Sequence, residues 1–242
     1  MRKIYFTLLF LVFGFLVSAQ TSSVFGITEG QLSVSLSGAA NYNIPIAVPP
    51  GINGVVPQIN LAYNSQGGVG LAGYGWNILG VSAITRVPAT MFHDGVIDPV
   101  DFNDLDRLAL GDKRLVLKST EKFDINSIKR IYETEIFSNL KITYYQGNRQ
   151  NNLQDILLSP FDYFIVEYPD GSSAKYENHG SGIDWTIGSW QNPQGVFITY
   201  EYNSQYTGST SPSNNAVIEK IKYGSVKFSG TQINEIQFVY KL

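Results

Sequence analysis

The sequence predicts an all-β protein in which an antiparallel sheet is built from successive hairpins. The 242 residues include fifteen Tyr, fourteen Phe and twenty-three Gly but only two Met, a balance that favours strands and turns over helices. Several short segments alternate apolar and polar residues with the period of two that is typical of half-buried strands, as at 32–36 and 59–63. Turn sequences separate these segments at short intervals.

The strands follow one another along the whole chain. We predict them at 32–36, 59–63, 78–85, 114–117, 163–168, 174–176, 183–190, 196–202, 217–223 and 233–240. Four prolines between residues 45 and 57 cannot donate to a central ladder, so that stretch is an extended edge or loop. Only residues 121–140 leave helix and strand open, because their Ile, Tyr and Phe residues follow no clean 3.6-residue period.

Two hairpins have clear turn signals. Asp170-Gly171 supplies the positive φ angle that a tight turn needs between the strands at 163–168 and 174–176. The strands at 183–190 and 196–202 are joined across 192–195 in the same way.

The N-terminus reads as a secretory signal peptide at residues 1–19. Arg2 and Lys3 precede an apolar run that is too short for a spanning helix, and Val17-Ser18-Ala19 fits a cleavage site before Gln20. The sequence then divides into a Pro/Gly-rich β region at 20–160 and a β-hairpin region at 161–242. Because the chain stops directly after an aromatic strand, we expect its C-terminal end to be truncated and the sheet to be part of a larger β assembly.

Composition excludes several classes of function. The chain has no Cys, so disulfides, thiolate catalysis and Cys-ligated zinc are absent. Without Arg2 and Lys3, fifteen basic residues face twenty acidic ones, a net charge of −5 with no basic block. That charge disfavours nucleic-acid partners and docking to anionic lipid, and we expect no stable membrane insertion after signal cleavage.

The motifs with catalytic or binding chemistry are weak. Residues 68–73 match the glycine pattern of dinucleotide sites, with Asp94 at the ribose-binding distance, but no helix start follows, so a glycine-rich turn fits better. The acidic stretch 94–106 lacks the central Gly and the final Glu of a calcium loop. His93 and His179 cannot complete a three-histidine zinc site, although a carboxylate could be the third ligand. We therefore predict no catalytic, cofactor-binding or metal-binding residue and no cofactor.

One block of the sequence resembles a known family. The order of Pro, Gly, Tyr and Trp residues from Leu36 to Arg86, with Asp106-Arg107-Leu108 and the later hairpins, is similar to the N-terminal region of the SpvB family, the exported RHS/YD-repeat and insecticidal toxin-complex virulence proteins. The residues that carry the resemblance are Gly38, Tyr42, Pro45, Pro49, Pro50, Gly51, Pro57, Tyr63, Asn64, Ser65, Gly73, Gly75, Trp76, Arg86, Asp106 and Arg107.

The resemblance implies a β-rich secreted scaffold. Full-length members of the family continue into propeller-like and YD-repeat regions that form a hollow shell around a C-terminal toxic effector, an ADP-ribosylating enzyme in some. Neither a YD array nor an effector lies within this chain, so no catalytic residue is carried over.

Two functional hypotheses follow. The first is a non-enzymatic secreted structural module that contributes β structure to a toxin-complex or RHS-like assembly, with other parts or subunits of that assembly as partners. The second is a cell-surface module that recognises polysaccharide or a protein partner through exposed aromatics. We expect Trp76, Trp185 and Trp190 to serve packing rather than recognition.

Overall fold

The structure of the chain is a computed structural model that describes residues 29–103, 106–124, 127–146, 162–179, 182–203, 217–226 and 232–240. The predicted signal peptide at 1–19 and the predicted domain boundary at 160/161 lie outside these residues. No helix within the described ranges has the length and apolar character needed to cross a bilayer.

Strands dominate the described residues. In chain order they are β1 (Gln31–Val34), β2 (Ala40–Pro45), β3 (Asn60–Asn64), β4 (Val69–Gly70), β5 (Gly73–Tyr74), β6 (Trp76–Leu79), β7 (Ala83–Val87), β8 (Arg107–Leu110), β9 (Lys113–Asp124), β10 (Ser127–Thr134), β11 (Lys141–Gln146), β12 (Tyr163–Glu167), β13 (Ser173–Glu177), β14 (Asp184–Gln191), β15 (Phe197–Asn203), β16 (Val217–Ser225) and β17 (Asn234–Gln237). A 3₁₀ turn spans Ile52–Gly54, and one short helix, α1, spans Met91–Asp94.

Strands β7 to β14 form a closed barrel of eight antiparallel strands. Each strand pairs with the next along the chain, and β14 returns to pair with β7 through Trp185 and Ile84. One edge of β14 pairs with β13, and the other pairs with β7 at 184–186 and with β15 at 189–191. Strand β15 pairs in turn with β16, and β16 with β17. Strand β14 is therefore the junction between the barrel and a three-stranded extension.

The barrel interior is filled with side chains. Tyr144, Phe164 and Tyr176 lie in one cross-strand row and are buried, and the Phe164 ring meets the Trp185 indole edge-on at 5.1 Å between centroids. Strands β7 to β9 add Ile84, Leu108 and Leu115 to the same core. An eight-stranded barrel has an interior just wide enough for such filling, so this barrel is a packed core rather than a channel.

A second core lies between the extension and the Pro-rich segment. Ile198, Ile218, Ile221 and Tyr223 of β15 and β16 pack with Ile59, which precedes β3. The Tyr223 hydroxyl donates to the carbonyl oxygen of Pro49 at 2.8 Å, and Asn234 Nδ2 donates to that of Pro50 at 3.2 Å. Pro49 and Pro50 thus lie in an extended cover over β16 and β17, in the loop predicted for the Pro-rich stretch, whereas Pro45 ends strand β2 and pairs with Asn60.

A smaller sheet precedes the barrel. Its four antiparallel strands lie in the order β1-β2-β3-β6, with β1 and β6 at the edges. Gly80 links β6 to β7, and its φ of +96° together with a Cβ position only 1.9 Å from the carbonyl oxygen of Gln58 leaves room for glycine alone. This turn therefore holds the small sheet close to the second core.

The predicted all-β antiparallel class is confirmed. Residues 121–140, for which the sequence left helix and strand open, contain the end of β9 and all of β10, and these two strands pair with each other. The region predicted as one strand at 78–85 is two strands, β6 and β7, divided at Gly80. The closed barrel and strands β2, β4, β5, β8 and β11 were not predicted.

Candidate interaction surfaces

The small sheet has two faces of opposite character, set by the alternation of side chains along each strand. Register aligns Leu32, Tyr42, Tyr63 and Trp76 across the four strands on one face. The neighbouring positions point to the other face and carry mainly carboxamides: Gln31, Asn41, Asn43, Asn64 and Asn77.

We call the face that carries Leu32, Tyr42, Tyr63 and Trp76 the apolar face. It is exposed to solvent at the edge strand β1. Leu32 and Val34 on β1 are 73% and 71% exposed, and Tyr42, Tyr63 and Trp76 are half-buried. The Tyr63 and Trp76 rings lie 5.2 Å apart. Edge strands of natural sheets usually carry charges or prolines that block further pairing, whereas the residues Gln31–Val34 carry neither.

The second face lines a groove of about 860 Å³. We call it the carboxamide groove. Its floor consists of Gln31, Ser33, Asn41, Asn43, Ala62, Asn64, Asn77 and Leu79, and its wall is the Gly-rich segment 67–70. The lining also includes Leu32, Tyr42, Tyr63, Gly75 and Trp76. No charged side chain lines it. The groove thus offers neutral hydrogen-bonding groups on a rigid sheet.

The wall overlaps the segment that matches the dinucleotide pattern. Residues 68–73 include strand β4 and the first residue of β5, which pair with each other, and strand β6 follows. A pyrophosphate site of that type needs a helix N-terminus directly after the glycines, and a strand takes its place here. The interpretation as a glycine-rich turn between strands agrees with this geometry.

A cluster of charged side chains lies beside the barrel. Asp94 at the end of α1 accepts hydrogen bonds from Arg107 Nε and Arg114 Nη2, both at 2.7 Å, and from the backbone N–H of Thr90 at 2.8 Å. The backbone bond and the two guanidinium groups lower the pKa of the Asp94 carboxyl from its ordinary value. Asp94 therefore fastens α1 to β8 and β9.

Asp106 makes a second connection of this kind. Its carboxylate, almost fully buried, pairs with Arg86 Nη1 at 3.0 Å and accepts the backbone N–H groups of Asp101 and Phe102 at 3.1 and 2.9 Å. Arg86 also donates to the carbonyl oxygen of Gly182 at 2.9 Å and lies over the Trp185 ring. These contacts join β7 to the segment before β8 and to the start of β14.

Asp94 and Asp106, the first and last carboxylates of the acidic stretch, are thus engaged by arginines. Residues 104 and 105 of that stretch lie outside the described ranges. Within those ranges no three acidic or histidine side chains are grouped in a way that could hold a metal ion.

The two histidines lie in separate environments. His93 Nδ1 is 2.9 Å from Glu135 Oε1 at the surface. His179 packs against the Tyr202 ring at 4.8 Å, and burial lowers its pKa from the ordinary value. The two histidines therefore make separate contacts. Within the described residues, neither histidine is hydrogen-bonded to a serine hydroxyl.

The residues of the predicted family motif fall into three groups. The small sheet and its turns hold Gly38, Tyr42, Pro45, Tyr63, Asn64, Ser65, Gly73, Gly75 and Trp76, the cover over the second core holds Pro49, Pro50, Gly51 and Pro57, and the side of the barrel holds Arg86, Asp106 and Arg107. Ser65 Oγ accepts the backbone N–H of Ala40 at 2.9 Å, so this position closes β2 onto β3. The motif is divided among the three parts of the fold and forms no single pocket.

Sequence reasoning missed the floor of the carboxamide groove. Asn41 and Asn43 alternate with Tyr42 and Ile44, the period of a strand with one polar face. That alternation, repeated by Asn64 and Asn77 on neighbouring strands, is the signal that would have indicated a carboxamide surface.

Comparison with known proteins gives a family. The family described as SpvB, Salmonella virulence plasmid 65kDa B protein, matches residues 34–155, which is about half of the chain. No curated protein matches the chain in sequence.

Solved structures share the fold at low identity. A structure of TcdB2-TccC3 is 17% identical with a TM-score of 0.63, and the match covers 81% of this chain and 10% of that one. The Photorhabdus luminescens Tc holotoxin pore is 17% identical with a TM-score of 0.61, covering 82% and 10%. The N-terminal domain of the effector protein SpvB from Salmonella typhimurium strain LT2 is 18% identical with a TM-score of 0.53, covering 75% and 63%. The chain therefore spans about a tenth of the length of the first two.

Proposed function

Because the chain belongs to the SpvB family, we propose that it is a non-enzymatic, secreted structural module of a larger toxin-complex or RHS-like assembly. The observation that carries the proposal is the apolar face of the small sheet. A sheet is stable when a hydrophobic face is covered, and exposed apolar patches of this kind mark interaction surfaces. Here Leu32 and Val34 remain largely exposed beside half-buried Tyr42, Tyr63 and Trp76.

The polar residues support a structural role. Asp94 and Asp106, which sequence chemistry would consider first for catalysis or metal binding, have their carboxylate oxygens paired with arginines and backbone N–H groups. A catalytic acid or base needs a free oxygen within reach of substrate. These carboxylates instead hold parts of the fold together.

The three tryptophans favour this proposal over the second hypothesis, a surface module that presents aromatics to polysaccharide or a protein. Trp185 is buried inside the barrel at 2% exposure, and Trp76 and Trp190 are half-buried. Rings that stack on a sugar need an open face. The aromatic row on the small sheet is better suited to packing under another β element.

The proposal is tested by isolating complexes of the chain. The full chain, tagged at its C-terminus, is co-expressed with the polypeptides encoded beside it in its own genome. We expect a stoichiometric complex that a Val34→Lys variant loses, because a lysine cannot be buried against an apolar partner without a large desolvation penalty.

Val239→Lys is the matched control. Val239 is 74% exposed, close to the 71% of Val34, but it follows β17 in the chain and is not part of the small sheet. Equal loss of the complex in both variants, or turnover of an ester or glycoside by the purified chain, would contradict the proposal.

A further inference from the structure

The carboxamide groove holds hydrogen-bonding groups that the fold itself does not use. Asn64 Oδ1 accepts the backbone N–H of Gln66 at 2.8 Å, and Asn77 Oδ1 accepts that of Ile78 at 3.0 Å. Each bond fixes a carboxamide and leaves its Nδ2 group, which makes no hydrogen bond among the described residues, as a donor. Asn41 has the opposite polarity, because its Nδ2 donates to the carbonyl oxygen of Ala39 at 3.3 Å and leaves Oδ1 as an acceptor.

One buried atom on the floor lacks a partner altogether. Asn43 Oδ1 is inaccessible to solvent and makes no hydrogen bond in the part of the chain that the structure describes. A buried acceptor without a donor costs about 1–3 kcal/mol. Rotation of this carboxamide toward a ligand donor in the groove would remove that penalty.

The lining limits the chemistry of a ligand. With no charged side chain in the groove, phosphates, carboxylates and cations find no counter-charge there. Asn41 and Asn64 are cross-strand neighbours, so an acceptor and a donor stand side by side. Such a pair matches a molecule that carries many hydroxyls, since each hydroxyl both donates and accepts.

The spacing of the floor distinguishes a sugar chain from a peptide. Polar positions on adjacent strands, as at Gln31 and Asn43 or at Asn41 and Asn64, lie about 4.8 Å apart, comparable with the length of one pyranose unit. The main chain of an extended peptide repeats every two residues, at about 6.6 Å, and would fall out of step. Ala62, Leu79 and Val69 supply apolar contacts for the faces of the rings.

We propose that the carboxamide groove binds a neutral linear oligosaccharide whose hexose units lie across strands β1, β2, β3 and β6. The four strands span roughly 14 Å, enough for about three units. The bound hydroxyls accept from Asn64 and Asn77 and donate to Asn41. The test of this site is separate from that of the proposed structural role, because oligosaccharide binding requires no partner polypeptide.

The experiment is an NMR titration of the chain produced as residues 20–242. The probes are cellotetraose, chitotetraose, maltotetraose and mannotetraose, with an uncharged Gly/Ser octapeptide as comparison. We expect at least one oligosaccharide to bind with a Kd below about 1 mM and to shift the side-chain amide signals of Asn64 and Asn77.

Two near-isosteric variants test the donors. Asn64→Asp and Asn77→Asp keep the oxygen that accepts the backbone N–H but remove the free donor, and each is expected to weaken binding about tenfold. Asn192→Asp is the matched control, because Asn192 Oδ1 accepts the backbone N–H of Val196 at 2.9 Å in a turn outside the groove.

Each result of the titration either supports the oligosaccharide proposal or overturns it. Binding that falls in the two groove variants and not in Asn192→Asp supports the proposal. Absence of binding by all four oligosaccharides at about 10 mM overturns it, as does equal affinity in the groove variants or binding of the octapeptide alone.

Discussion

The Asp106 carboxylate connects three segments through one buried group. Its oxygens meet Arg86 and two backbone N–H groups, while its side chain is 1% exposed. We expect Asp106→Asn to lower the free energy of unfolding by about 2–4 kcal/mol, because Arg86 keeps a charge without its partner. Urea unfolding followed by tryptophan fluorescence measures the change.

Asp112→Asn is the control for this prediction. Asp112 is exposed in the turn between β8 and β9, and its removal is expected to change the free energy of unfolding by less than about 0.5 kcal/mol. Equal destabilisation by both variants would mean that the Asp106–Arg86 ion pair makes no specific contribution to the free energy of unfolding.

The Asp94 carboxylate is expected to make the stability of the fold depend on pH. Its pKa is lowered in the folded chain, first by the backbone bond from Thr90 and then by Arg107. A lowered carboxyl pKa stabilises the fold above the unfolded value of about 3.9, and this stabilisation is lost as pH falls through the folded value.

We therefore expect the wild-type chain to lose stability more steeply than Asp94→Asn below about pH 4. Thermal unfolding between acid and neutral pH measures the difference. Parallel pH profiles for the two proteins would show that the ion pairs of Asp94 do not stabilise the fold.

At the level of elements, local pattern predicted the hairpins well. The β12–β13 hairpin, with its Asp170-Gly171 turn, and the β14–β15 hairpin form as expected, because each turn and its strands are adjacent in sequence. Barrel closure joins Ile84 to Trp185, about a hundred residues apart, and no local pattern carries that information. Strand β2 was not predicted because it ends at Pro45, and the Pro-rich stretch that begins there indicates a loop.

The turn at Gly80 gives a prediction at this scale. An added Cβ would lie 1.9 Å from the Gln58 carbonyl oxygen, whereas at Gly54, with a similar φ of +76°, nothing lies within 4 Å. Gly80→Ala is expected to cost about 3 kcal/mol or more, and Gly54→Ala about 1 kcal/mol, the conformational penalty alone. Chemical denaturation of the two variants compares them, and similar losses would contradict the close packing of β6 on the Gln58 segment.

For the whole molecule, the export prediction concerns residues outside the described ranges. We expect cleavage between Ala19 and Gln20, which would give a secreted product whose first residue is Gln20. Expression in a Gram-negative host, followed by intact-mass measurement of the exported protein, tests it. Protein that retains residues 1–19, or that stays in the cytoplasm, would contradict secretion.

The sequence also predicted the family at this scale, since the Pro, Gly and aromatic positions from Leu36 to Arg86 fall in one distinctive order. It could not predict the two faces of the small sheet, because their opposite character depends on the register among β1, β2, β3 and β6. Register arises from pairing across turns of different lengths and is fixed only when one face becomes buried.

The central claim is that the apolar face of the small sheet is completed by another part of an assembly. Hydrogen–deuterium exchange on the chain alone and in its complex tests this most directly. We predict that peptides covering β1 to β3 and β6 gain protection in the complex, while those covering barrel strands β9 to β12 keep the same exchange rates. Protection gained only in the barrel strands, or unchanged exchange across residues 31–79, would contradict the claim.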